Sequence, residues 1–148
     1  MFKDDLKKGE KVERFVVEQL KIKYPSTYKI EGYCKEYDIL IPEIDSSVEV
    51  KNDKQLDVSS KNFFIEVECE NKPSGLSSTG ATWWWIISIS RQIVIAPKYL
   101  RHLIQELNLE LRTFTPKDTT VKGYLCPIKN ILNYNQIIIN QGTNAIRS

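Results

Sequence analysis

The chain has 148 residues, 41% of them apolar and 27% charged, and a formal net charge of +2. That length suits one domain, residues 1–148, with a real core, and the composition is that of an ordinary globular protein. So small a net charge does not announce a nucleic-acid binder, though it leaves room for a local basic face. No apolar run approaches the roughly 20 residues that span a bilayer, so no membrane association is expected. The N-terminal stretch MFKDDLKKGEK has no apolar signal core. Cys34, Cys69 and Cys126 are isolated and odd in number, which points to reduced thiols in a cytoplasm rather than a disulfide frame or a zinc site. The one histidine, His102, has no nucleophile pattern around it.

Residues 6–24 read as a helix stopped by Pro25. Glu13, Val16, Val17 and Leu20 fall at i, i+3, i+4 and i+7, on one helical face. Three of them belong against a sheet. The acid among them is either a solvated residue at the edge of the stripe or a carboxylate directed at a site. Glu10 lies one turn earlier.

Residues 28–33 alternate loosely as a first strand, with Gly32 at a turn or bulge. The stretch YDILIPEIDSSVEVK, residues 37–51, reads as two short strands joined by a polar turn at 45–47. Pro42 closes the first of them. Side chains alternate along a strand, so Glu49 and Lys51 share one face while Val48 and Val50 share the other. Asp38, on the preceding strand, offers a second carboxylate. Two oxygen ligands suit a hard divalent cation such as Mg²⁺. A lysine beside them can orient a water or stabilise charge on a phosphate.

A polar loop over 52–61 leads to a strand over 62–68, NFFIEVE. Phe63, Ile65 and Val67 form its core face; Phe64, Glu66 and Glu68 form the other. Glu66 is either a neighbour of Lys51 on the site side of the sheet or a solvated strand residue. Residues 70–82, ENKPSGLSSTGAT, form a loop whose hydroxyls and backbone N–H groups suit phosphate contacts. The run 82–87 is the most apolar of the chain, and periodicity leaves open whether it is strand throughout or begins as helix. Residues 92–96 read as a buried strand. Pro97 opens a helix with Leu100, Leu103, Ile104 and Leu107 on its core stripe and His102 off it, hence exposed. Residues 113–122 read as a polar connection, 123–128 as a short strand broken by Pro127, and 136–140 as an edge strand or an interface.

Helix, strand with acid, then strand with E-x-K: in this order the chain resembles the PD-(D/E)xK nuclease superfamily. The residues that carry the likeness are Gly9, Glu10, Lys11, Val12 and Glu13 on the first helix, Tyr37-Asp38 on a strand, and Glu49-Val50-Lys51 on the next. Asp38 and Glu49 stand at hairpin distance. The first-helix spacing is similar to that of the Holliday-junction-resolvase-like branch. The run Phe64-Ile65-Glu66, with Lys72-Pro73-Ser74-Gly75, Ala81 and Trp84, is similar to small phage-type nucleases. The proline of the family signature is absent, and Tyr37 precedes the acid.

The resemblance implies an α/β restriction-endonuclease-like core, a central mixed sheet of four to five strands flanked by helices. It implies a metal-dependent deoxyribonuclease that hydrolyses DNA phosphodiesters. Glu13, Asp38, Glu49 and Lys51 would be catalytic, with Mg²⁺ (Mn²⁺ substituting) on Asp38, Glu49, the carbonyl of Val50 and Glu13. Glu10 and Glu66 would lie behind these ligands. Lys54, Lys61, Lys72, Ser74 and Arg91 would contact the DNA backbone. A homodimer paired through 136–140, and a host cytoplasm for a viral protein, are also consistent with it. The alternative is a non-catalytic DNA-binding or adaptor protein that retains the nuclease fold.

Overall fold

The computed structural model describes residues 2–32, 37–52, 61–88 and 91–135, with side chains from residue 9 onward. The first element is α1, Phe2–Lys21. It ends before Pro25, with the N–H groups of Lys23 and Tyr24 both directed at the Leu20 carbonyl. Val16, Val17 and Leu20 are buried as the periodicity requires.

The α1 stripe packs on a five-stranded mixed sheet of order β1-β2-β3-β6-β7, so the chain is α/β. Its strands are β1 (Tyr28–Lys29), β2 (Ile39–Ile41), β3 (Ser46–Asn52), β6 (Trp83–Ile87) and β7 (Gln92–Ile95). A 3-10 turn at Pro42–Ile44, with Asp45 left-handed at φ 47°, joins β2 to β3. The turn thus begins earlier than the polar residues suggested, and Ser46 and Ser47 are strand residues. β1, β2 and β3 are antiparallel neighbours; β3 and β6 run parallel. The run of tryptophans that periodicity left open is strand from Trp83 to Ile87.

A parallel pair needs a long crossover. Here it carries the first hairpin of a second sheet. β4 (Asn62–Cys69) and β5 (Lys72–Pro73) form a hairpin that joins β9 (Val121–Pro127) and β8 (Arg112–Phe114), in the order β5-β4-β9-β8. Sequence alternation placed 62–68 correctly as a strand but could not say which sheet it joins. α2 (Pro97–Glu106) and the short α3 (Ile128–Leu132) complete the fold. Both β8 and the start of β9 fall in the stretch expected to be a plain connection, because β8 is exposed and the one buried residue at the start of β9, Val121, stands alone among polar neighbours.

The two faces of the first sheet therefore have different covers. On one, α1 packs against Ile39, Ile41, Val48, Trp85, Ile87 and Val94. On the other, Trp84, Ile86, Ile93 and Ile95 meet Phe63 and Ile65 of β4, Cys126 of β9, and residues of α2 and α3. Trp84 is 1% exposed and Trp85 fully buried. Each removes about 150–250 Å² from water. At about 25 cal/mol per Å² this is an upper bound near 4–6 kcal/mol apiece, far above any surface ion pair. β6, with its adjacent tryptophans pointing to opposite faces, is the strand on which both cores are built.

Leu100 and Leu103 of α2 are buried, and His102 is exposed, facing Glu106 at 3.0 Å. Cys69 and Cys126 are free thiols. Burial pushes the Cys126 thiol up to about 11. The thiolate is the nucleophile, so native Cys126 will resist iodoacetamide at pH 8 and react only after unfolding. Peptide mass mapping checks this; modification of Cys126 in the folded protein would contradict the packing.

Candidate metal and phosphate site

β2 and β3 pair with Ile39 opposite Val48. The ladder ends at Ile39, and Asp38 is the residue just before β2. Backbone bonds tie it to both neighbouring strands: Asp38 N–H donates to the Val48 carbonyl at 2.9 Å, and the Asp38 carbonyl accepts from Ile30 at 2.7 Å. Asp38 Oδ2 accepts the N–H of Val50 at 2.7 Å. A residue's N–H and C=O point to the same side of a strand, so the Val50 carbonyl faces the β2 side, where Asp38 lies.

Val48 and Val50 pack toward α1. Glu49 and Lys51 therefore face the opposite side, toward the second sheet. Glu49 Oε2 is ion-paired with Lys51 Nζ, the side chains being 17% and 33% exposed. The Lys51 ammonium lies 4.8 Å above the Trp84 ring, a cation–π contact. Glu49 Oε1 accepts from Thr79 Oγ1 at 3.2 Å.

Thr79 is the residue that sequence reasoning missed. Its hydroxyl accepts from Trp84 Nε1 at 3.1 Å and from Ala81 N–H at 3.2 Å. A hydroxyl has one proton and two lone pairs. With both lone pairs engaged, its proton is directed to Glu49, which accepts at both oxygens. Thr79 N–H is itself held by the Gly75 carbonyl at 3.0 Å. One hydroxyl thus satisfies the polar edge of a buried tryptophan and fixes the rotamer of the carboxylate. The only signal for it in the sequence was the wealth of hydroxyls in 70–82; nothing tied position 79 to position 49.

The structure brings Asp38, Glu49, Val50 and Lys51 together at one end of the β2–β3 pair. Glu13 is half-buried on α1 and ion-paired with Lys29 of β1 at 3.5 Å. Glu10 is exposed. Glu66 stands on β4 in the second sheet, and its backbone carbonyl approaches Gly75 so closely that a Cβ there would clash with the carbonyl oxygen. Lys61, Lys72 and Arg91 are exposed. Arg91 follows the end of β6, its N–H bonded to Ser88 Oγ at 3.1 Å. Ser74 precedes a 3-10 turn, and its Oγ is buried with no partner among the described residues, so it does not reach solvent. Lys54 and residues 136–140 lie outside the described residues.

Among the described residues, no three His, Cys, Asp or Glu side chains cluster as a ready-made metal cage. Mg²⁺ seldom uses one: it takes one or two carboxylates and fills its remaining positions with waters and substrate phosphates. Asp38, Glu49 and the Val50 carbonyl supply two carboxylates and a neutral oxygen. That donor set fits a hard cation shared with a phosphate.

Thr79→Val will leave Trp84 Nε1 and Ala81 N–H without their acceptor. Each orphaned buried donor costs about 1–3 kcal/mol, so we expect a loss of about 2–4 kcal/mol in urea unfolding, with Thr79→Ser close to wild type. Equal stability of the valine and serine variants would contradict this network.

No protein-family model, curated protein or solved structure matches the chain.

Proposed function

We propose that the chain is a metal-dependent nuclease of the PD-(D/E)xK type, hydrolysing phosphodiester bonds of DNA. The observation that carries this reading is the hydrogen bond from the Val50 N–H to Asp38 Oδ2 at 2.7 Å, which ties that carboxylate to the strand where Glu49 and Lys51 are ion-paired. A bound Mg²⁺ would polarise the phosphate and lower the pKa of a water. Asp38 and Glu49 would hold it, with the Val50 carbonyl as third donor.

The protein groups then have separate tasks. Thr79 holds Glu49 in place, so its carboxylate need not reorganise when a cation arrives. Asp38 is oriented by the Val50 N–H, which its Oδ2 accepts. Lys51, paired with Glu49 and lying over Trp84, is placed as an ammonium. An ammonium has three donors and no acceptor. It therefore acts as an electrostatic clamp on a phosphate oxygen or on the attacking water, not as a base, in this arrangement. Exposed Lys61, Lys72 and Arg91 supply charge that positions a backbone without reading its sequence.

The second reading, a non-catalytic DNA-binding or adaptor protein that keeps the fold, is favoured by one observation. Glu49 already has an internal partner at each oxygen, as a structural ion pair would.

Cleavage separates the two. Labelled duplex, single-stranded, flapped and four-way-junction DNA should be cut in Mg²⁺ or Mn²⁺ and not in EDTA. Lys51→Ala and Asp38→Asn should each lower the rate by about 10²-fold or more. No cutting of any substrate, with DNA binding unchanged in both variants, would establish the second reading instead.

A further inference from the structure

A cleft of about 460 Å³ opens between the 79–83 segment and the first turns of α2. That volume lies within the range of ordinary ligand sites, about 300–1,000 Å³. Thr79, Thr82, Lys98, Tyr99 and Arg101 line it, and no acidic side chain does. Both cations are exposed. The Arg101 guanidinium is tethered to the Leu76 carbonyl at 3.1 Å, which fixes it at the cleft while leaving further N–H donors. We propose that this cleft holds the phosphodiester backbone of the strand being cut, beside the scissile position. Its occupant rests on the nuclease reading above.

Three observations point to a phosphate backbone. The wall carries two positive charges and no negative one, which selects an anion. Thr79 belongs both to the cleft and, through its hydroxyl, to Glu49, so the cleft begins one hydrogen bond from the metal-site carboxylate. A strand with one phosphate at Asp38 and Glu49 would run its neighbours along Lys98 and Arg101. Finally, Tyr99 is already stacked on Tyr134, with centroids 4.9 Å apart, and has the Lys98 ammonium 5.1 Å from its ring. It is therefore not an open platform for a base, and the contact is to backbone, tolerant of sequence.

Fluorescence anisotropy with single-stranded and duplex oligonucleotides, in EDTA and across 50–200 mM salt, tests the assignment without requiring cleavage. Lys98→Glu, at an exposed position that need not disturb folding, should weaken binding at least about tenfold at low salt. Lys98→Gln should lower the salt slope by about 1, and Lys98→Gln/Arg101→Gln by about 2. Lys23→Glu, at a position outside the cleft lining, should match wild type. Unchanged affinity and slope in Lys98→Glu would overturn the proposal, and if that variant still cuts, the nuclease reading survives alone. Cleft-dependent binding by a wild-type protein that cuts nothing in Mg²⁺ would uphold the cleft and sink the nuclease reading. No binding of either oligonucleotide by wild type would overturn the cleft.

Discussion

Parallel pairing of β3 with β6 is the constraint from which the site follows. It sets Glu49 beside Trp84 and Lys51 beside Ile86 in the ladder. Two parallel strands cannot be joined by a tight turn, so the chain must leave the sheet and return. The excursion supplies β4 and β5 of the second sheet, which β9 and β8 complete later in the chain and which covers one face of the first. Its return limb carries Gly75, Thr79 and Ala81 back past the end of β3, where Thr79 meets Glu49. The covering of the core and the organisation of the candidate site are thus two results of one connection.

The polar contacts at this place are interdependent because each donor has one destination. Trp84 supplies both packing and an N–H that needs an acceptor. Thr79 provides that acceptor and passes its own proton to Glu49. Glu49 in turn holds Lys51, whose charge rests on the face of the same tryptophan. A buried indole N–H left unpaired is costly, so the stability of the apolar core is coupled to the placement of the carboxylate. On the other strand, Asp38 closes the β2–β3 pairing by taking the Val50 N–H with its side chain. Preorganisation of this kind is what electrostatic catalysis on a phosphate requires.

Legibility in the sequence followed the range of the interactions. The α1 stripe of Val16, Val17 and Leu20, the Glu49-Val50-Lys51 strand, and the α2 stripe of Leu100 and Leu103 are local periodicities, and they are where the pattern put them, whereas Asp38 falls just before its strand, which begins at Ile39. Turn positions shifted by a few residues, as at Pro42–Ile44, because proline and a left-handed Asp45 make the turn before the serines do. The second sheet was not legible. Partner choice between strands depends on contacts such as that between positions 62 and 127, which no window of alternation contains. Thr79 was hidden for the same reason. Glu13 shows the limit from the other side: the helical pattern marked it as an acid on a buried stripe, and only the fold supplies Lys29 as its partner.

The central claim is that Asp38 and Glu49 hold a divalent cation between them. Calorimetric titration of the protein with Mn²⁺, beside Glu49→Gln, tests it most directly. The account predicts saturable binding by wild type, lost or weakened at least about tenfold when one carboxylate oxygen becomes an amide. Equal binding by both proteins, or none by wild type even with a DNA duplex present, would contradict it and leave the two carboxylates as structural partners of Val50, Thr79 and Lys51.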